Sequence, residues 1–598
     1  MNISVDWIAK PLREGPEKFG SYTGGPSTWN YVKGRLDNCT RTHPDCQDPS
    51  PWVPTRLLEV APMGSAFQLR VVLTENWAEK KRYISLSHQW GTDPTIRLTK
   101  ATYDMYRDHI PTEDLPRKYI DAIQAAQQLG VQYLWIDSLC IVQDDEKDWE
   151  TESAQMHRVY RHGFCNISAA SSSSTNEGLF YHRDATWLRP HVIIPGNNLD
   201  PVVVTQPGID TEWYVRLDKE PLYSRAWVCQ ERLLATRNVS YARHLVYFEC
   251  TKEMSSELSE GDGSGQERNI RNRTLGEQLL SMRTLGEHPK PHNAWRTVVE
   301  YYSGCNLTYP TDKLVAISGV ARVFHGSINS TYLAGMWSDT LLEGLAWQRS
   351  MHSVRPRGRY TEYLAPSWSW VSMNAQVDYE HFHYKYHTLA NCEEVSTVPH
   401  GTDPFGRVRS GSLRLRCYAI PLLLDYDEFR MRTAWTGKEF EYQMRAAMEP
   451  FVQEPDSGLL DCKLDDTTRC ARDHKAHQIT AGARYYAVPL LTQLEPSVTT
   501  PFLLLEPLTP AWGLYRRVGL CHLKPRSKPA FSPDHGNDNN HHSDLGGDDM
   551  PAICQEGLSL GLPVEHCRVL ARMMRASEEA DVPAYERTAD GRCLITII

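Results

Sequence analysis

Glu152 is the residue whose type and setting best suit it to acid–base work. A helix over residues 146 to 162 puts positions 149, 152, 153, 156, 159 and 160 on one face, so this carboxyl sits among Trp149, Met156, Val159 and Tyr160. Desolvation there raises a carboxyl pKa, and such a group can transfer a proton or stabilise an oxocarbenium-like transition state, as cleavage of a nucleotide glycosidic bond requires. The competing reading is a buried ion pair with an arginine, for which Arg225 is available, and this structural pairing is preferred. Glu231 poses the same question, since Trp227, Glu231 and Leu234 share a helical face with Gln230 beside them.

Two loops follow strand-like segments and carry further polar groups. Ser87, His88, Gln89, Trp90 and Gly91 follow YISLS, while Asp137, Ser138 and Cys140 follow VQYLWID. In an open parallel sheet ligands gather at the carboxyl ends of the strands, where loop amides and helix N-termini converge. Ser87, Trp90, Gly91, Asp137, Ser138, Arg225, Gln230 and Glu231 are therefore the candidate ligand-binding residues, and Glu152 the candidate catalytic one. Against this, Trp90 can be a core anchor, Ser87 and Asp137 can cap neighbouring segments, and Arg225, Gln230 and Glu231 can bridge to Asp137 or Glu152 and tie the segments together. A nucleophilic pair of Cys140 and His88 lacks an orienting third group. Neither GxxxxGK[ST] nor a strand-following GxGxxG occurs, which argues against a conventional kinase, ATPase or dehydrogenase.

Cys39, His43 and Cys46 are spaced so that thiolate and imidazole groups fall near one another, and both bind zinc. They supply three ligands and no fourth is visible, so the expectation is two packed thiols beside a histidine, with no metal assigned. The 15 cysteines are odd in number and follow no frame, which excludes a complete internal disulfide set and suits a reducing compartment.

The elements that position these residues alternate between strand-like and helix-like runs from 80 to 250. Tyr83 to Ser87 reads as a strand, the run from Pro116 to Gly130 as a helix, Val131 to Asp137 as a strand buried on both faces, 146 to 162 as a helix and Asn166 to Ala170 as a strand. SRAWVCQERLLA at 224 to 235 reads as a helix followed by the strands NVSYA and HLVYFEC. This order predicts an α/β domain with a parallel sheet and flanking helices, its strands at Ser87 and Asp137 being neighbours that open to one side. The expected divisions are an N-terminal extension at 1–79, the α/β domain at 80–252, a mainly helical continuation at 253–380, including TLLEGLAWQ, and a β-rich region at 381–598 with a disordered loop near 525–552. Polar tracts at 255–269 and 532–550 should be mobile, and Ser367 to Trp370 should be a packed strand or turn at a domain junction.

Acidic residues outnumber basic ones by 74 to 64, which disfavours nucleic acid as a partner. No apolar run of membrane-spanning length and no leader pattern occurs, so a cytoplasmic protein is expected.

YISLSHQWG at 83–91, LPRKYIDAIQAAQQLGVQYLWIDSLCIVQDDEKDWETESAQMHRVY at 115–160 and SRAWVCQERLLATR at 224–237 resemble, in order, the three signature blocks of the fungal heterokaryon-incompatibility (HET) domain family. WNYVKGRLDNCTRTHPDCQ before them, and LTYPTDKLVAISGVA and APSWSWVS after them, are similar to sequences that accompany that domain. His88 and Gln89 stand where the family more often has an aromatic residue and a cysteine. The resemblance implies self/non-self recognition and programmed cell death, through self-association and protein partners. It also implies a Rossmann-like sheet of the Toll/interleukin receptor (TIR-like) kind, some members of which cleave NAD with a glutamate. The alternative function is therefore an NAD glycohydrolase, with NAD as substrate and no certain cofactor.

Overall fold

The computed structural model describes residues 20–47, 52–63, 66–90, 96–174, 176–184, 191–193, 202–204, 217–257, 291–350, 358–379, 386–425, 445–447, 460–464, 484–493, 500–509, 513–523, 584, 586–588 and 592–598. The chain divides into two compact units, Met1–Thr308 with Val315–Ile328, and Tyr309–Leu314 with Asn329–Ile598.

The first unit is built on a sheet of eight described strands: β1 (Arg56–Met63), β2 (Ala66–Leu73), β3 (Tyr83–Ser87), β4 (Tyr133–Trp135), β5 (Cys165–Ser168), β8 (Arg237–Tyr241), β9 (Val246–Cys250) and β10 (Met254–Ser256). They lie in the order β10-β9-β8-β5-β3-β4-β1-β2, and β6 (His191–Ile193) pairs antiparallel with β7 (Val202–Val204) in a separate two-stranded sheet. The centre is parallel: Tyr83 to Ser85 pair with Tyr133 to Trp135, β3 pairs in parallel with β5, and β5 with β8. Antiparallel strands close both sides. The helices are α1 (Pro26–Thr42), α2 (Tyr103–Asp108), α3 (Arg117–Gln128), α4 (Asp137–Cys140), α5 (Glu146–His162), α6 (Ala226–Leu234), α7 (Pro291–Ser303) and α8 (Val315–Ile328).

Local sequence accounts for the key boundaries. Pro116 stands at the N-cap of α3, and Gly130 takes up φ 65° just past its end, a conformation that glycine adopts without a Cβ penalty. Asp145 caps α5 by accepting from the Lys147 and Asp148 amides, with Glu146 and Asp148 in the first turn and Arg161 and His162 in the last, as the helix dipole favours.

The expected neighbours β3 and β4 are parallel, and both are buried throughout. Several expectations need correction. The strand expected over 131–137 is confined to Tyr133–Trp135, because the Val131 amide closes the end of α3 on Ala126 O at 2.9 Å and the Ile136 carbonyl already accepts from Cys140 N at 2.8 Å in the turn that opens α4. The N-terminal extension is not outside the α/β unit, since β1 and β2 continue its sheet. The helical continuation is divided, with α7 and α8 in the first unit. The tract at 255–269 does not begin as a mobile segment: Ser255 and Ser256 pair in β10, and the buried Glu257 carboxylate meets Arg183 Nη1 at 2.5 Å. Its remainder, like 532–550 and the loop near 525–552, lies outside the described residues.

The second unit is β-rich, as expected. Ten of its described strands form one sheet, antiparallel except where Leu514–Leu523 meets Cys593–Ile597. TLLEGLAWQ is α-helical only over Leu341–Gly344, and Trp347–Arg349 is a strand that pairs antiparallel with Val377–Tyr379. Ser367 to Trp370 is a packed turn within this unit, with Trp368 and Trp370 fully buried and the Trp370 indole donating to Gly335 O at 2.9 Å. Arg517 is also fully buried, with its guanidinium 3.3 Å from the Trp347 ring centroid. It donates to the Leu345 and Trp347 carbonyls at 2.7 and 2.5 Å.

Candidate functional site

Because β3, β4 and β5 are parallel, the loop after Ser87 and the turn at Asp137 emerge at the same edge of the sheet. Between them lies His88, buried in spite of its loop position. Its Nε2 meets Tyr119 Oη of α3 at 2.9 Å, and Tyr119 Oη in turn meets Ser138 Oγ at 2.6 Å. Burial, reinforced by the nearby Lys118 and Arg225 cations, holds the imidazole pKa well below its usual value, so the ring is neutral. Its Nδ1 lies 3.8 Å from Asp137 Oδ1, too far for a hydrogen bond.

Two cations clamp the loop backbone. Lys118 Nζ donates to Gln89 O at 2.6 Å, and Arg225 Nη1 to His88 O at 2.7 Å. Burial pulls the Lys118 pKa down to about 8. Trp90 completes the loop: its half-buried indole donates to Asp137 Oδ2 at 2.7 Å, while the Ser138 amide donates to Oδ1 at 2.7 Å. The Asp137 side chain keeps 27% exposure and is the most accessible acid of the group, with burial pushing its pKa up to about 6 against the opposing Trp90 bond and the Arg225 charge. Glu231 is buried near Ser87 and Tyr160, with one carboxyl oxygen unpartnered, and burial pushes it up to about 7.

Six of the nine residues expected at the site, Ser87, Trp90, Asp137, Ser138, Arg225 and Glu231, thus gather around His88. Gly91 lies outside the described residues. Gln230 turns away: it is buried and accepts from the Gly319 amide of α8 at 2.7 Å. Glu152 is also elsewhere, its buried carboxylate 3.4 Å from Arg56 Nη2, which replaces Arg225 as its ion-pair partner. Arg56 further donates to both oxygens of Asp148 at 2.6 and 2.7 Å and to Cys140 O at 2.6 Å. Cys140 forms no nucleophilic pair with His88, because burial pushes its thiol up to about 12 and the imidazole is turned to Tyr119.

Sequence reasoning missed a polar ladder across the sheet. Ser85 Oγ donates to Asn166 Oδ1 at 2.9 Å, and Asn166 Nδ2 donates to Ser87 Oγ at 2.9 Å and to Asn238 Oδ1 at 2.8 Å. Asn238 Nδ2 reaches Ser240 Oγ at 2.9 Å and Glu249 Oε2 at 3.0 Å. The signal was the alternation of polar residues in SLS, NIS and NVS, which strand periodicity puts on one face. Lys118 and Tyr119, from the second motif block, were missed as well.

These features define an α/β domain whose sheet is parallel at its centre and whose strand-end loops are clamped by side chains from three separated segments. Residues 83–231, a minority of the chain, match the family described as Heterokaryon incompatibility protein (HET). No curated protein and no solved structure matches the chain. No helix among the described residues is long and apolar enough to cross a membrane.

Proposed function

We propose that this chain is a cytoplasmic effector of heterokaryon incompatibility that triggers programmed cell death through self-association and contacts with protein partners. The observation that carries this reading is the double clamp on the 88–90 loop, in which Lys118 of the second motif block and Arg225 of the third hold the backbone of the first. Polar groups expected at a ligand site are engaged within the fold instead: Trp90 with Asp137, Gln230 with Gly319, Glu152 with Arg56. Such an arrangement fixes the shape of a surface loop, which is what a recognition face needs.

A second reading, cleavage of NAD, draws its support from Asp137, a partly exposed carboxyl with a pKa near 6 at the sheet edge where nucleotides bind in open α/β folds. In that reading Asp137 takes the acid role first given to Glu152. Inducible expression of the full chain in a fungal host, with viability, NAD content and soluble yield measured together, separates the two. Killing at constant NAD that persists in Asp137→Asn is the outcome expected of a contact effector. NAD loss that precedes death, and is abolished in a folded Asp137→Asn protein, would replace that reading with the enzymatic one. A chain that leaves viability and NAD unchanged at high soluble yield would overturn both.

A further inference from the structure

Cys39 and His43 lie at the end of α1, Cys46 on the short turn Pro44–Cys46 that follows, and Cys250 at the last position of β9. The three thiol sulfurs and one imidazole nitrogen all fall within 4.8 Å of one another, although Cys250 is more than 200 residues away in sequence. His43 Nδ1 is 3.4 Å from Cys250 Sγ. In a tetrahedral site with Zn–S about 2.3 Å and Zn–N about 2.0 Å, ligand atoms stand roughly 3.5–3.8 Å apart, so this quartet needs little adjustment to enclose an ion. All three cysteines are buried and free, and three thiols in one cluster cannot be satisfied by a single disulfide.

We propose that Cys39, His43, Cys46 and Cys250 form a structural zinc site that fastens the α1 segment to the end of β9. Sequence spacing supplied three ligands, and the fold adds the fourth. Four protein ligands close the coordination sphere, which suits a structural rather than a catalytic ion, and a thiolate-rich tetrahedral set selects zinc over magnesium or calcium. Charge is balanced from outside. Zinc with three thiolates and a neutral imidazole carries one net negative charge, and the buried Arg237 guanidinium donates to Cys39 Sγ at 3.3 Å. Arg237 also donates to Cys46 O at 2.6 Å and Phe164 O at 3.0 Å, holding the turn and the start of β5 to the same cation. Neighbouring groups of this kind orient the ligands of metal sites.

The test is metal analysis of the full chain purified under reducing conditions without added metal. About one zinc per chain is expected, falling at least fivefold in Cys250→Ser and His43→Ala, while Cys392→Ser, which alters an exposed cysteine outside the cluster, retains it. Because ligand variants can fail to fold, a second measurement uses the unaltered chain: zinc is removed and cobalt(II) is titrated. Intense visible bands of a tetrahedral thiolate-rich cobalt site, saturating at one equivalent and bleached by zinc, are expected. A folded chain purified without stoichiometric zinc that gives no such bands would overturn the proposal, as would a disulfide mapped between any two of the three cysteines or full zinc retention in a folded Cys250→Ser protein.

Discussion

Arg56 holds two carboxylates with one nitrogen: its Nη2 lies within 2.7 Å of both oxygens of Asp148 and 3.4 Å from Glu152. Sharing makes the two ends of this interaction unequal. Glu152→Gln leaves Arg56 neutralised by Asp148 and should cost about 1 kcal/mol, since the arginine keeps its stronger bonds. Arg56→Met strands two acids, one of them fully enclosed, and should cost about 3–5 kcal/mol. Urea unfolding of both variants decides the matter. A Glu152→Gln protein less stable than Arg56→Met would show that the 3.4 Å contact, rather than the Asp148 pair, is the principal one.

The Glu231 carboxyl yields a pH-dependent expectation. Burial raises its pKa in the folded chain to about 7 from an ordinary value of 4.5, so the native state holds a proton that the unfolded state releases between those values. Its contribution is fully present below about pH 4.5 and is lost as pH rises through about 7. Glu231→Gln, always neutral, escapes that loss. The stability of the variant relative to the parent should therefore climb between about pH 5 and 8, by up to about 3 kcal/mol. Unfolding curves across that range check the slope, and a difference that stays flat would mean that the carboxyl ionises freely in the fold.

How far the sequence foretold this structure depends on the range of the interactions involved. The α5 helix was legible to its ends because its cap, first-turn acids and last-turn bases are all local. The parallel pairing of β3 with β4 followed from the alternation of strand and helix. The partner of Glu152 was not legible: Arg225 stands in a motif and Arg56 does not, and nothing local distinguishes them until β1 is known to lie beside β4. The Asn166–Asn238 ladder was legible only in hindsight, because three short polar alternations have meaning once their strands are adjacent.

Gly319 marks a close approach between α8, α6 and α5. A Cβ built there would stand 2.4 Å from His157 Cβ and 2.6 Å from Gln230 Oε1, the atom that accepts from the Gly319 amide at 2.7 Å. Neither neighbour can yield without shifting a helix or giving up that bond. Gly319→Ala should therefore destabilise the first unit by about 1–3 kcal/mol, despite the higher helix propensity of alanine. Gly326, on the same helix with nothing within 4 Å of such a Cβ, is the control, and Gly326→Ala should be neutral or slightly stabilising in thermal unfolding.

Arg232 anchors the far end of the polar ladder, and its substitution tests whether that ladder stabilises the fold. Its guanidinium is buried, bonds Glu249 through Nε and Nη2, the latter at 2.7 Å, reaches Asp218 through Nη1 at 2.6 Å, and lies 4.4 Å over the Tyr223 ring. Glu249 is buried as well and also accepts from Asn238, so it needs a cation that can bond in a plane on two sides. Lysine offers the charge without the fork. Arg232→Lys should cost about 1–3 kcal/mol, and Arg232→Met, which takes the guanidinium away from the buried Glu249 carboxylate, about 3–5 kcal/mol. Arg70 provides the surface comparison, since its guanidinium is 48% exposed and pairs with Glu59 at 2.7 Å. Arg70→Met should cost less than about 1 kcal/mol. If Arg232→Met proves as mild as Arg70→Met in urea unfolding, water reaches Glu249 and the ladder is not the dry network that its distances describe.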